Sequence, residues 1–134
     1  MNQNSFSTSD GTPIAVFVLL LLNGLIFLSW NFSTSITPEL SFMTDNFLVN
    51  WTGLAQKRYW ILITSVFSHI SFWHFFMNMF VLNSFGPIVE KTLGTFRFIK
   101  FYLIAGVISS FCHAAVSAFL LKQPDLQALG ASGA

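Results

Sequence analysis

The chain has 134 residues, of which 54% are hydrophobic and 17% aromatic but only 8% charged, whereas soluble domains carry about one quarter charged residues. Six Lys and Arg against five Asp and Glu leave a net charge of +1, which excludes the basic patch of a nucleic-acid binder and an acidic tract for a polycationic partner. The apolar excess lies in charge-free stretches long enough to cross hydrocarbon, so lipid is the expected solvent.

Residues 1–12 form a small polar leader, and residues 13–30 follow without a charge as a first membrane span. The leader holds Asp10 and no Lys or Arg, and no A-x-A site ends the run, so a span is favoured over a cleaved signal peptide. Residues 31–70 read as a large interfacial loop around Glu39, Asp45, Lys57 and Arg58. Its apolar Phe42, Phe47, Leu48 and Trp51 are expected on the membrane surface, with Trp51, Tyr59 and Trp60 anchored among headgroups.

Residues 59–89 are again free of charge, but as one helix they would measure about 46 Å against a hydrocarbon core of roughly 30 Å. Ser71 suits an N-cap, which predicts a second span over 71–89. Glu90, Lys91, Arg97 and Lys100 then cluster in a short connection around Gly94. A third span follows over 101–121, where Ala105, Gly106, Ser109, Ser110, Ala114, Ala115, Ser117 and Ala118 favour close helix contact. Cys112 lies in this apolar run, has no cysteine partner, and is expected to pack inside.

The expected fold class is all-α: a polytopic membrane helix bundle with three transmembrane helices and the start of a fourth, after the leader at 1–12. Three positive residues beside Gly94 and none in the leader put that connection and the N-terminus in the cytoplasm. Either way round, the start of the second span and the segment before Gly130 share one side of the membrane.

That side carries the chemistry. Gly130-Ala131-Ser132-Gly133 sets a serine between glycines, where backbone can turn sharply and a substrate can approach the hydroxyl. Short Gly, Ala and Ser strings also serve tight helix contacts in membranes, and Ala134 breaks the G-x-S-x-G elbow of soluble hydrolases. His74 and Asn78, four residues apart, share one helix face, where polar groups at membrane depth mark either a site or an interhelical hydrogen-bonded pair. Both can donate to a developing oxyanion beside an attacking serine. His69 joins them on the same side; a metal would need a third ligand at suitable spacing, and none is seen, so neither metal nor cofactor is expected.

Residues 60–78, W-I-L-I-T-S-V-F-S-H-I-S-F-W-H-F-F-M-N, resemble the rhomboid pattern W-R-x-x-T-x-x-x-x-H-x-x-x-x-H-x-x-x-N. Glu90 to Gly94 resembles the family's E-x-x-x-G connection and Gly130 to Gly133 its G-x-S-G nucleophile motif, three motifs in the family's order over roughly 13–134. The resemblance implies an intramembrane serine endopeptidase that cleaves transmembrane protein substrates in the bilayer through a Ser–His dyad. Ser132 would be the nucleophile, its own N–H helping to bind the oxyanion, with His74 and Asn78 as side-chain donors. His69 would order the outer loop, while Gly130 and Gly133 give the backbone room.

One departure is Ile61, where the family has arginine; Arg58 is nearby to take over its anchoring. The family's general-base histidine comes from a later helix, and His113 in the third span is expected to pack rather than to reach Ser132, so these 134 residues alone are expected to be inactive. A leader without arginine favours a bacterial inner membrane. Two other readings are a proteolytically inactive relative that binds membrane clients, and a small structural membrane protein.

Overall fold

The computed structural model describes residues 12–33 and 37–127, and its regular elements are helices. In chain order they are α1 (Ile14–Ser33), α2 (Thr37–Phe47), α3 (Trp51–Ala55), α4 (Ile61–Thr64) running into a 3-10 turn (Ser65–Phe67), α5 (Phe72–Leu93) and α6 (Thr95–Phe119). The all-α expectation holds, and two of these helices, α1 and α6, are long and apolar enough to cross a membrane. Residues 31–70 are more ordered than a loop, since α1 continues to Ser33 and most of the segment that follows is short helices.

The outside of the bundle is greasier than its inside. On α1 the exposed residues Phe17, Leu21, Leu25, Leu28 and Phe32 recur at helical spacing, and α5 exposes Phe76, Phe80, Phe85 and Ile88 in the same way. Ile104, Ile108 and Phe111 continue the pattern on α6. The interior holds Asn23, Ser65, Ser68, His69, Glu90 and Ser117 among apolar side chains that include Trp30, Ile61 and Phe98. An apolar surface around a partly polar core is the arrangement that lipid selects, because helices there associate through close packing and hydrogen bonds rather than by escaping water.

Close approach is visible at two glycines. A Cβ on Gly86 of α5 would lie 2.8 Å from the Val16 Cγ2 of α1, and one on Gly106 of α6 would lie 2.6 Å from the Val66 Cγ2 of the 3-10 turn. Around these contacts Ala15, Val16, Leu19, Val66, Leu82, Phe98 and Tyr102 form the largest buried cluster. The buried stripe of α6 runs through Phe98, Tyr102, Gly106, Ala114 and Ser117, so only part of its small-residue set is used. Cys112 falls on the opposite face and is exposed, contrary to the packing expected for it.

The charged connection around Gly94 also differs from expectation. Glu90 and Lys91 lie inside α5, and Arg97 and Lys100 inside α6, so Gly94 alone links the two helices at φ +83°, a backbone angle that glycine adopts without strain. Glu90 is buried there, and its position follows from the start of α1, whose first N–H groups have no acceptor within their own helix. Its Oε1 accepts from the Ala15 N–H at 3.0 Å, its Oε2 from the Val16 N–H at 2.9 Å, and the Thr95 hydroxyl donates to Oε1 at 2.7 Å. A carboxylate at a helix N-terminus also meets the favourable end of the helix dipole.

At the other end, α3 is docked against the segment after α6: the Trp51 N–H donates to the Pro124 carbonyl at 3.0 Å. Lys57, Arg58 and Lys122 therefore gather at that end and Lys91, Arg97 and Lys100 at the Glu90 end, an even division of positive charge. Lys57, Arg58 and Lys122 thus offset the three positive residues beside Gly94 on which the expected orientation rested.

Glu90→Gln turns one of the two acceptors facing α1 into an N–H donor. Its cost is expected at about 2 kcal/mol, read as a lowered unfolding free energy in bicelles. Gly106→Ala is expected to cost about 1 to 3 kcal/mol by overpacking, with part of that recovered when Val66→Ala is added.

Candidate active site

The site is built from the outer ends of α1 and α5 and the chain that joins the 3-10 turn to α5. Ser68 and Ser71 are extended, at φ −90°, ψ 127° and φ −80°, ψ 132°, which carries the chain from the end of the 3-10 turn to the first residue of α5. Ser71 occupies the N-cap position as the sequence suggests, although its side chain makes no capping hydrogen bond. Ser68 and the His69 that follows it are completely buried. The indole Nε1 of Trp30, near the end of α1, donates to the Ser68 hydroxyl at 2.6 Å and so pins this strand of chain from the side. Nothing in the sequence patterns singled out that pair; the available signal is an indole at the end of a charge-free run, since a buried indole N–H needs an acceptor.

His69 stands edge-on to His74 with ring centroids 5.2 Å apart and edge-on to Phe75 at 5.8 Å. Its Nδ1 is 3.3 Å from the Phe67 carbonyl. Phe75 in turn stacks on Phe27 of α1 at 4.3 Å, so the histidine pair sits against an aromatic wall that spans two helices. Burial, and secondly the neighbouring His74, push the His69 pKa down to about 4.

His74 lies in the first turn of α5, and Asn78 lies one turn deeper on the same half-buried face. The Asn78 Nδ2 donates to the His74 carbonyl at 2.8 Å, so the amide bonds its own helix. Asn78 also lines a groove between α5 and α6 together with Leu82, Phe98 and Tyr102. Ser132, Gly130 and Gly133 lie outside the described residues. His113, on α6, faces Ser117 with Nε2 3.2 Å from its hydroxyl. Among the described residues no group of three His, Cys, Asp or Glu side chains could hold a metal.

The departure at Ile61 has a structural counterpart. Ile61 is 1% exposed and packs with Val49, Leu54 and Ala114, a setting with no room for a guanidinium. Arg58 does the anchoring instead: its Nη1 donates to the Asp45 carbonyl at 2.8 Å and lies 3.4 Å from the Asp45 carboxylate. Trp60 adds a bond to Asn46 at 3.1 Å, and Thr64 donates to the Asn46 carbonyl. The outer segment is thus held to the end of α2 by side chains that flank the position where the family has arginine.

The buried, neutral His69 makes stability depend on pH. Its folded pKa lies below the usual 6.5, so the unfolded chain binds the extra proton between those values. Stability is fully present above pH 6.5 and falls as pH drops towards 4, by up to about 3 kcal/mol. Unfolding measured from pH 7.5 to pH 4 should show this loss, and His69→Gln should flatten it.

A family model for the rhomboid domain matches residues 56–134, the stretch that holds His69, His74, Asn78, Glu90 and Ser132. The mitochondrial presenilin-associated rhomboid-like protein of Rattus norvegicus is 33% identical over 132 residues, covering 96% of this chain and 32% of its own length. The mitochondrial RHOMBOID-like protein 12 of Arabidopsis thaliana is 31% identical over 131 residues, with 89% and 38% covered. YdcA of Bacillus subtilis, whose name makes it a candidate rhomboid protease, is 28% identical over 122 residues, with 91% and 57% covered. The chain thus spans from about a third to a little over half of the length of these relatives. With a helical bundle that turns its large apolar side chains outward, and with the family model matched over more than half its length, this chain is an integral membrane protein and belongs to the rhomboid family.

Proposed function

We propose that the complete protein is an intramembrane serine endopeptidase that cleaves transmembrane proteins, with Ser132 as nucleophile. The observation that carries this reading is the cluster of His69 and His74 at the end of the bundle where α3 binds the Pro124 carbonyl, eight residues before Ser132. Under it α5 acts as a third span, 22 residues or about 33 Å long. The Ser132 Oγ attacks the scissile carbonyl, and the negative charge that develops on its oxygen is met by the Ser132 N–H and by His74 and Asn78. Asn78 must turn its amide from the His74 carbonyl to do so. His69, fully buried and low in pKa, stays neutral and serves as packing for His74. Gly130 and Gly133 leave the backbone open around the hydroxyl, and a histidine from a further helix takes its proton, so residues 1–134 alone should not cleave. The likeness to YdcA favours a bacterial inner membrane; the likenesses to proteins named mitochondrial make cell fractionation the check.

The present bond of Asn78 to its own helix favours one other reading, a rhomboid relative that binds transmembrane clients without cutting them. Cleavage of a reconstituted transmembrane substrate by the complete protein separates the two. Ser132→Ala should abolish it, and His74→Ala and Asn78→Ala should each lower kcat by about ten- to a thousandfold. Cleavage that survives Ser132→Ala, or a wild type that binds substrates without cutting, overturns the protease reading.

A further inference from the structure

The turn that follows α6 is held from two sides. Within it the Leu126 N–H donates to the Gln123 carbonyl at 3.1 Å, with Pro124 at the turn position that its fixed φ suits. Towards α6, the Gln123 N–H donates to the Ser117 carbonyl at 2.8 Å, after Lys122 has reversed the chain at φ +55°. Towards α3, three of the four N–H groups that a helix start leaves open find acceptors. The Asn50 Oδ1 takes that of Gly53 at 2.6 Å, and the Pro124 carbonyl takes those of Trp51 and Thr52 at 3.0 and 3.3 Å.

Side chains complete the joint. The Thr52 hydroxyl donates to the Asp125 Oδ1 at 2.6 Å, a bond strengthened by the carboxylate charge. The Trp51 ring stands edge-on to Phe119 at 4.7 Å and tilted to Phe111 at 6.2 Å. A helix of five residues therefore holds the turn through backbone and carboxylate contacts and packs its indole on the end of α6 just before it.

We infer that Thr52 and Asp125 are positioning residues for Ser132: their bond, with the Pro124 carbonyl held by α3, fixes the point from which the chain runs seven residues to the nucleophile. The inference rests on the reading of Ser132 given above. Seven residues can reach about 25 Å when extended, so the joint with α3 and α6 sets where that reach begins. Displacing a catalytic group by about 1 Å can cost roughly a hundredfold in rate, which makes such a joint matter to the chemistry without touching it.

The test uses the complete protein in liposomes, with Cys112→Ser and a nitroxide spin label attached at Ser132→Cys. Thr52→Val and Asp125→Ala should each raise the mobility of the label, their combination should raise it no further, and Thr52→Ser should leave it at the parent level. In the unlabelled protein the first two should lower kcat about ten- to a hundredfold while KM stays within about twofold, and Thr52→Ser should restore kcat. Label mobility and kcat unchanged by Thr52→Val would overturn the inference even if cleavage depends on Ser132. Cleavage independent of Ser132 would instead overturn the protease reading, with the label still judging the joint. Should Thr52→Val fail to fold, Asp125→Ala, at an exposed side chain, supplies the same two readouts.

Discussion

A buried carboxylate at the N-terminus of α1 is the constraint on which the arrangement depends. Glu90 joins three helices through one side chain: the first N–H groups of α1, its own helix α5, and Thr95 at the start of α6. Without it two backbone donors of α1 would face protein or lipid unpaired, at a cost that such an environment does not forgive. With it, α1 and α5 are clamped at one end, and Gly86 lets them touch beside Val16 along their length. Their far ends, with Trp30 and His74, are then delivered to the same place.

At that far end polar bonds replace the carboxylate. Trp30 pins Ser68, Ser68 fixes the backbone beside His69, and His69 lies against His74 and Phe75. The outer segment is tied down separately by Arg58 to Asp45 and by Trp60 to Asn46. Ser65 adds a hydroxyl pair with Ser110 of α6 at 3.1 Å, next to the close approach of Val66 to Gly106. The bundle is therefore gripped at both ends, by a single buried carboxylate at one and by a wider set of side-chain bonds at the other.

The outward residues do a different task. Large apolar side chains at helical spacing on α1, α5 and α6 suit hydrocarbon, while the interior mixes apolar packing with polar groups that can pair. Cys112 illustrates the division: its helical position lies off the stripe through Gly106 and Ala114, so it faces outward whatever its intrinsic preference for burial.

The sequence by itself determined the helical class, the long apolar runs at α1 and α6, and the pairing of His74 with Asn78 on one face, because each depends only on composition or on the 3.6-residue period. It also carried the family, through the spacing of Trp60, Thr64, His69, His74 and Asn78. Only the tertiary structure decided what polar groups separated along the chain do to one another. That Glu90 caps α1, that Trp30 holds Ser68, that Arg58 stands in beside a buried Ile61, and that Thr52 meets Asp125 across 73 positions all rest on contacts between segments far apart in sequence. The extent of α5 and α6 around Gly94 was hidden for a related reason: charges read as a loop end in water, whereas Glu90 finds its partners inside the bundle and leaves the helix unbroken.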